Sequence, residues 1–411
     1  MNLYLIVFTA DTYKKEQIYT IHKELFVALE QHFTLHLVNY VDADTIPSNA
    51  YKMAFIASGG VEEHVTQNFS IFPYPITLLT DGINNSLAAS LEIAASIRSK
   101  DMRVNIIHGT PQEMTQKVLR HHQAFAAKRA LKGKRIGVVG TPAPWLIASH
   151  VDYFLASQRW GVNYIDIPIE EIYKRFYSIA DNEIGEQATL FSSNAKACQD
   201  TTPEELLRAM RLYKAIKLLR EEMHLDAITL SCNSILSQLN TTGCVAAALL
   251  NDEGIPTSCE GDLQAIMTML MAQVVTGKTS FMGNISFINS QSNEITLAHC
   301  SIPIQMTDEY ILRNHSGLNK CISIQGIMHE GNITLFKCGG ECLDKYYVSE
   351  GYLTDNTNLI TACRTQLRIK LAKPVNYFLT NPLGNHHILL QGNYAADLQE
   401  FMRQNRCKQY E

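Results

Sequence analysis

The hydrophobic rhythm of this chain changes near Lys278. Before that point, short apolar runs alternate with longer stretches of helical spacing. Residues 3–8, 34–38, 53–57, 76–79 and 104–107 read as strands, with helix-like stretches such as 15–31 and 86–100 between them. This βαβα alternation predicts a parallel sheet with helices on both faces. A second unit of the same kind begins near Lys132, with strands at 135–139, 162–167 and 226–230 and a helix over 144–159. Its clearest helix opens at Thr202-Pro203-Glu204-Glu205, which combines an N-cap, proline at the first helical position and a capping-box glutamate. Leu206, Met210, Tyr213, Ile216, Leu219 and Met223 then recur at helical spacing.

Beyond Lys278, short strands crowd together at 280–289, 294–299, 321–325, 332–337, 345–349, 367–371, 376–380 and 387–391. Their spacing fits an antiparallel barrel or sandwich, and a helix over 395–404 closes the chain. The expected fold class is therefore α/β: two Rossmann-like parallel-sheet domains, 1–131 and 132–277, followed by a mostly antiparallel β domain, 278–411. At 411 residues the chain is too long for one ordinary core, which agrees with this division.

Composition narrows the function classes. With 46% hydrophobic and 18% charged residues, the chain is of soluble globular type. A net charge of -5 gives no expectation of nucleic acid. The one basic stretch, 128–135, is interrupted by Ala, Leu and Gly and reads as a solvated helix end. Residues 1–10 lack a basic leader and read as a first strand, and no apolar run nears the roughly 20 residues of a membrane span. The cytoplasm is the expected location. Ten cysteines spread thinly through a long chain imply free thiols, and Cys338-Gly-Gly-Glu-Cys342 has no second pair at zinc-finger spacing.

Two segments can carry chemistry. Ile255 begins a short strand, 255–259, leading into Glu260-Gly261-Asp262, after which a helix over 263–275 stops at Gly277. Carboxylates at the carboxyl end of a parallel strand can hold a divalent cation or move a proton. The plain alternative is that Asp262 is a helix N-cap and Glu260 a loop residue. In Gly384-Asn385-His386-His387, adjacent histidines on extended backbone point to opposite faces, so one can enter a site while the other supports the fold. Imidazole is a good transition-metal ligand, but two residues alone do not close a metal site. Trp145 can stack on a sugar ring or sit buried at a helix start. Arg364 and His299 can hydrogen-bond sugar hydroxyls or satisfy backbone groups. Gly137 and Gly140 do not make a dinucleotide fingerprint, and Gly59-Gly60 suits a tight turn.

Taken in order, several segments resemble the L-fucose isomerase-like family of the L-arabinose isomerase superfamily. They are Gly133-Lys-Arg-Ile-Gly-Val-Val-Gly140 followed by Pro144-Trp145, Leu250-Asn-Asp-Glu-Gly-Ile-Pro256 running into Cys259-Glu260-Gly261-Asp262, Ala298-His299-Cys300, Cys363-Arg364-Thr365-Gln366 and Pro382-Leu-Gly-Asn-His-His387. The resemblance spans roughly residues 133–393. It implies an isomerase that interconverts a free aldose and its ketose, a deoxyhexose or pentose, through an enediol. It also implies manganese or another divalent cation, a small-molecule sugar as partner and a homo-oligomer. Carried over, Asp262 resembles the metal-binding aspartate, and one histidine of the pair, with His387 favoured, resembles the histidine ligand. Glu260 is expected beside Asp262 in catalysis or in support of it. Trp145, His299, Arg364, Asn385 and His386 are expected against the sugar. One departure stands out: where relatives carry an acidic ligand after the strand at 226–230, this chain has Ser231-Cys232-Asn233-Ser234. That leaves open a homologue that binds a sugar without isomerising it.

Overall fold

The structure, a computed structural model, describes residues 1–10, 15–318 and 320–411. The chain divides into two compact units, Met1–Ala126 and Ala127–Glu411. Among the described residues no helix is long and apolar enough to cross a membrane.

The first unit is built on strands β1 (Asn2–Phe8), β2 (Thr34–Asn39), β3 (Lys52–Ile56), β4 (Ile76–Leu79) and β5 (Val104–Ile107), all parallel and in the order β2-β1-β3-β4-β5. This is the doubly wound order in which helices cover both faces. Period-2 alternation then decides where each side chain goes. Leu3, Leu5, Met53 and Phe55 enter one core, whereas Ile6, Phe8, Ala54 and Ile56 enter the other. The helix expected over 15–31 is divided into Lys15–Ile21 and Lys23–Glu30. At the break, the buried His22 ring bonds Asp81 at 2.6 Å.

The second unit combines a parallel sheet with a barrel. Strands β6 (Arg135–Val139), β7 (Asn163–Ile167), β9 (Ala227–Leu230) and β10 (Thr257–Ser258) form the parallel sheet in the order β10-β9-β6-β7. Short strand β8 (Ala197–Gln199) pairs instead with β13 (Glu309–Asn314), which also pairs with β14 (Ile322–Ile327). The barrel strands are β11 (Phe281–Asn289), β12 (Glu294–His299), β15 (Gly331–Gly339), β16 (Lys345–Asn356), β17 (Thr365–Leu371) and β18 (His387–Gln391), all antiparallel. They run β15-β18-β11-β12-β17-β16, and β16 pairs back onto β15, so the ring closes. Strand β19 (Lys408–Gln409) adds to β16 in parallel. The α/β class with a mostly antiparallel β portion is the observed architecture.

Four helices of this unit matter below. Helix α1 (Pro203–Glu222) starts as its sequence requires: Glu205 N–H donates to the Thr202 hydroxyl at 3.3 Å, and Thr202 N–H donates to the Glu205 carboxylate at 3.0 Å. Helices α2 (Cys232–Leu239) and α3 (Cys244–Asp252) follow β9 and are separated by Asn240 in the left-handed region. Helix α4 (Leu263–Thr276) is buried from Leu263 through Ala272 and packs against both β9 of the sheet and β15 of the barrel. Its apolar residues face protein on every side, which explains why it is hydrophobic all round rather than striped.

Two expectations are corrected here. The helix placed over 144–159 begins only at Tyr153, where the Asp152 carboxylate accepts the Leu155 N–H at 2.9 Å and fixes the start. Residues 141–152 are a loop instead. Its helix ends in Trp160, buried and donating its indole N–H to Leu343 O at 3.2 Å. The strand placed over 376–380 is a helical turn, Tyr377–Thr380, entered from Val375, whose N–H donates to Asn293 Oδ1.

Candidate metal centre

Strands β9 and β10 end side by side, and the chain leaves β10 through two consecutive left-handed residues, Glu260 (φ 65°) and Gly261 (φ 70°). Glycine is required at the second, because a Cβ there would lie 2.6 Å from the Pro142 Cα. Glu260 is a non-glycine residue in the same region, held there by its surroundings. Its carbonyl accepts the Ala143 N–H at 2.8 Å, and Gly261 N–H donates to Leu230 O at 2.9 Å. These bonds tie the 141–152 loop to the strand ends. They bring the Trp145 indole N–H to Glu260 Oε2 at 2.7 Å.

Asp262 follows and points inward. One of its oxygens accepts the Ala265 N–H at 2.7 Å, capping α4. The other accepts from His386 Nδ1 at 2.8 Å and from the Ser149 hydroxyl at 3.3 Å. Burial by itself would raise this carboxyl. The Lys337 ammonium and the His386 hydrogen bond outweigh it and hold Asp262 well below the usual carboxylate range. An ionised Asp262 can only accept, so His386 Nδ1 is the donor of this bond, and Nε2 is the ring nitrogen left to face away from Asp262. That Nε2 is buried and has no hydrogen-bond partner among the described residues.

What His386 Nε2 faces is Glu260 Oε1, at 3.8 Å. His299, the last residue of β12, brings its own Nε2 to 3.9 Å from the same oxygen. The Ser301 hydroxyl fixes the His299 ring through Nδ1 at 2.9 Å. Burial, reinforced by His386, lowers the His299 pKa and favours the neutral ring that a metal needs. One atom each of Glu260, His299 and His386 lies within 4.8 Å of the others. A carboxylate oxygen with two imidazole nitrogens is a donor set suited to a divalent transition metal. The orphaned Nε2 is the polar atom such an ion would satisfy.

The remaining sequence candidates are placed differently. His387 lies on the opposite face from His386, as alternation demands, among Tyr347, Tyr377 and Phe378. Its Nδ1 donates to Asn385 O at 2.9 Å, and burial pushes its pKa down to about 3. The structure thus brings His386 rather than His387 to the other donors. It sets Asp262 behind His386 and Glu260 in front. Arg364 is engaged with Asn314, through its carbonyl at 2.7 Å and its side chain. Asn385 joins β11, accepting the Ile285 N–H at 3.2 Å and bonding Asn284.

Glu260, His299 and Trp145 open onto a cavity of about 320 Å³. Cys232 and Asn233, at the start of α2, line it too, so the segment without a carboxylate does reach the site. Glu260 is the one carboxylate on the cavity wall among the described residues. Sequence reasoning missed that Cys244, Cys259, Cys300 and Cys363 join Cys232 there. The signal available was adjacency, since Cys259, Cys300 and Cys363 directly precede or follow Glu260, His299 and Arg364.

These features define an α/β protein with a candidate divalent-metal centre at the carboxyl end of a parallel sheet. No family model matches the chain. Over 221 residues it is 22% identical to the sulfoquinovose isomerases of Priestia aryabhattai and Priestia megaterium, and 24% identical to that of Clostridium sp. (strain MSTE9). Each match covers 53% of this chain and 49% of the relative, so the chain spans about half the length of the curated relatives it matches. These distant relatives carry the name of a sugar isomerase.

Proposed function

We propose that the chain is a divalent-metal-dependent aldose–ketose isomerase acting on a free deoxyhexose or pentose, in a homo-oligomer. The observation that carries this reading is the buried, unpartnered His386 Nε2 aimed with His299 at Glu260, with Asp262 fixing its tautomer from behind. Glu260, His299 and His386 would hold the ion, expected to be manganese, which supplies polarisation of the sugar's carbonyl and adjacent hydroxyl oxygens. With Oε1 turned to the histidines, Glu260 Oε2 is the oxygen left to carry a proton, and the Trp145 N–H holds it in place. Glu260 takes the proton from the carbon beside the carbonyl and returns it to the neighbouring carbon. A hydroxyl proton passes between the two oxygens, so the enzyme ends as it began. Half-exposed Trp145 offers an aromatic face at the cavity for the sugar's apolar side.

The test is turnover. Protein loaded with Mn²⁺ is offered a panel of pentoses, deoxyhexoses and sulfoquinovose, and one aldose should yield its ketose. Glu260→Gln should lower kcat by about 10²–10⁴-fold. No ketose from any sugar, with metal bound stoichiometrically, would overturn the proposal. A second reading, a sugar-binding homologue without turnover, is favoured by the lack of a carboxylate at Ser231–Cys232–Asn233–Ser234. It expects thermal stabilisation by a sugar and no product.

A further inference from the structure

An apolar patch lies open to solvent on the outer face of β11, β12, β17 and β16. Phe287 is 58% exposed, Ile360 is 88% exposed, and Tyr352 and Leu359 are exposed beside them. Single exposed apolar side chains are ordinary, whereas a cluster of them marks a contact surface. The register shows how the face is built. Across the strands, Phe287 pairs with Thr296, Thr296 with Arg368 and Arg368 with Asp355. In the next outward row, Asn289 pairs with Glu294, Glu294 with Lys370 and Lys370 with Tyr352. The residues between these rows, such as Ile295, Leu353 and Ile369, face the barrel core, so both rows face out. The loop after β16 is stapled beside the first row by buried Gln366. Leu359 N–H donates to the Gln366 side-chain oxygen at 2.7 Å, and the Gln366 amide donates to Leu359 O at 2.8 Å and Cys363 O at 3.0 Å. Ile360 is thus held out in water by an ordered loop, and seating it on a partner costs little further ordering. Next to it lies a cleft of about 420 Å³, walled by Phe287, Thr296, Leu359 and Arg368.

We propose that this face is the contact between two copies of the chain, laid face to face about a two-fold axis that runs along the strands between β12 and β17. The charges select that arrangement. Such an axis exchanges β12 with the other copy's β17 and β11 with its β16, and it keeps the rows in step. Glu294 then meets Lys370 of the other copy, twice over, and Asn289 meets its Tyr352. An axis across the strands would set Arg368 over Lys370 instead, and like charges in an interface are costly. A patch that complements itself is what an isologous contact requires. Ile360 is the apolar side chain that each copy offers to the cleft of the other, the kind of anchor on which interface affinity concentrates. The inference rests on the homo-oligomer reading above and is independent of the sugar chemistry.

The experiment is analytical ultracentrifugation of the full chain over a range of concentrations, with circular dichroism to show that each variant is folded. The wild type should be an oligomer. Ile360→Asp should raise its dissociation constant by about 10–100-fold. Lys370→Glu, which sets two carboxylates against each other, should raise it by about tenfold or more. The exchanged pair, Glu294→Lys with Lys370→Glu, restores opposite charges and should recover most of the association. All four residues changed or contacted lie on the surface, so the wild type and the double variant keep the test open even where a single variant folds poorly. An oligomeric wild type whose mass no variant changes would overturn this face and leave the homo-oligomer reading standing. Dissociation by Lys370→Glu without recovery in the exchanged pair would overturn the two-fold pairing. A monomeric wild type would overturn both readings and leave the face to a different partner.

Discussion

Asp262 and Glu260 stand two residues apart and serve opposite sides of one imidazole. Asp262 is buried, ionised and bonded to His386 Nδ1, whereas Glu260 faces Nε2 from the cavity. A carboxylate behind a ligating histidine sets its tautomer and raises its basicity. Asp262→Asn, measured by titration against a chelator, should therefore weaken Mn²⁺ binding by about 10–100-fold. Unchanged affinity would separate Asp262 from the centre. Elsewhere, burial pushes the Asp252 carboxyl up to about 6, against the Gln305 and Ile304 N–H groups that pull it down. An aspartate in the unfolded chain titrates near ~3.9. Between those values the folded chain holds a proton that the unfolded chain has released, so stability falls as pH rises from about 4 to about 6. Because the group is partly exposed, the effect is on the order of 1–2 kcal/mol. On going from about pH 4 to about pH 7, the urea midpoint of Asp252→Asn should move upward relative to that of the wild type, and an identical shift in both would remove Asp252 as the cause.

Among the elements, α4 joins the parallel sheet to the barrel and places Asp262 at its cap. Its interior positions meet protein all round, so Leu270→Ala should cost about 2–5 kcal/mol in urea unfolding. A cost near zero would mean that the helix is less tightly packed than its burial implies. How legible each element was follows from what fixes it. The capping box of α1 is a local signal, and the sequence spells it out. So is the opposition of His386 and His387, although which of the two faces Glu260 and His299 depends on β11 and β12, far away in the chain. Helix α2 carries no side-chain cap, and α3 begins after Thr242 and Gly243 with an alanine-rich run that reads equally as buried strand. The 144–159 stretch has helical composition throughout, yet Asp152 starts the helix late and leaves Trp145 free to reach Glu260.

At the level of the whole molecule, the barrel's strands were visible singly, but their closure was not. Strand β11 pairs with β18 about a hundred residues later, and no local pattern encodes such a partner. A closed ring also leaves fewer free edges for stray pairing. Because the candidate donors come from the β10–α4 turn, the end of β12 and the start of β18, an ion there clips together distant parts of one unit. Mn²⁺ should raise the Tm of the chain, by the equivalent of about 2.7 kcal/mol at a hundred times its Kd, and EDTA should reverse the rise. The same rise in Glu260→Gln would place the ion elsewhere. The two tryptophans add an optical consequence. Trp160 is sealed from solvent, while Trp145 is 55% exposed at the cavity mouth. Iodide therefore quenches chiefly the red-shifted emission of Trp145, and the blue emission of Trp160 serves as an internal standard. Any occupant of the cavity announces itself as lost quenching of one band against a constant other.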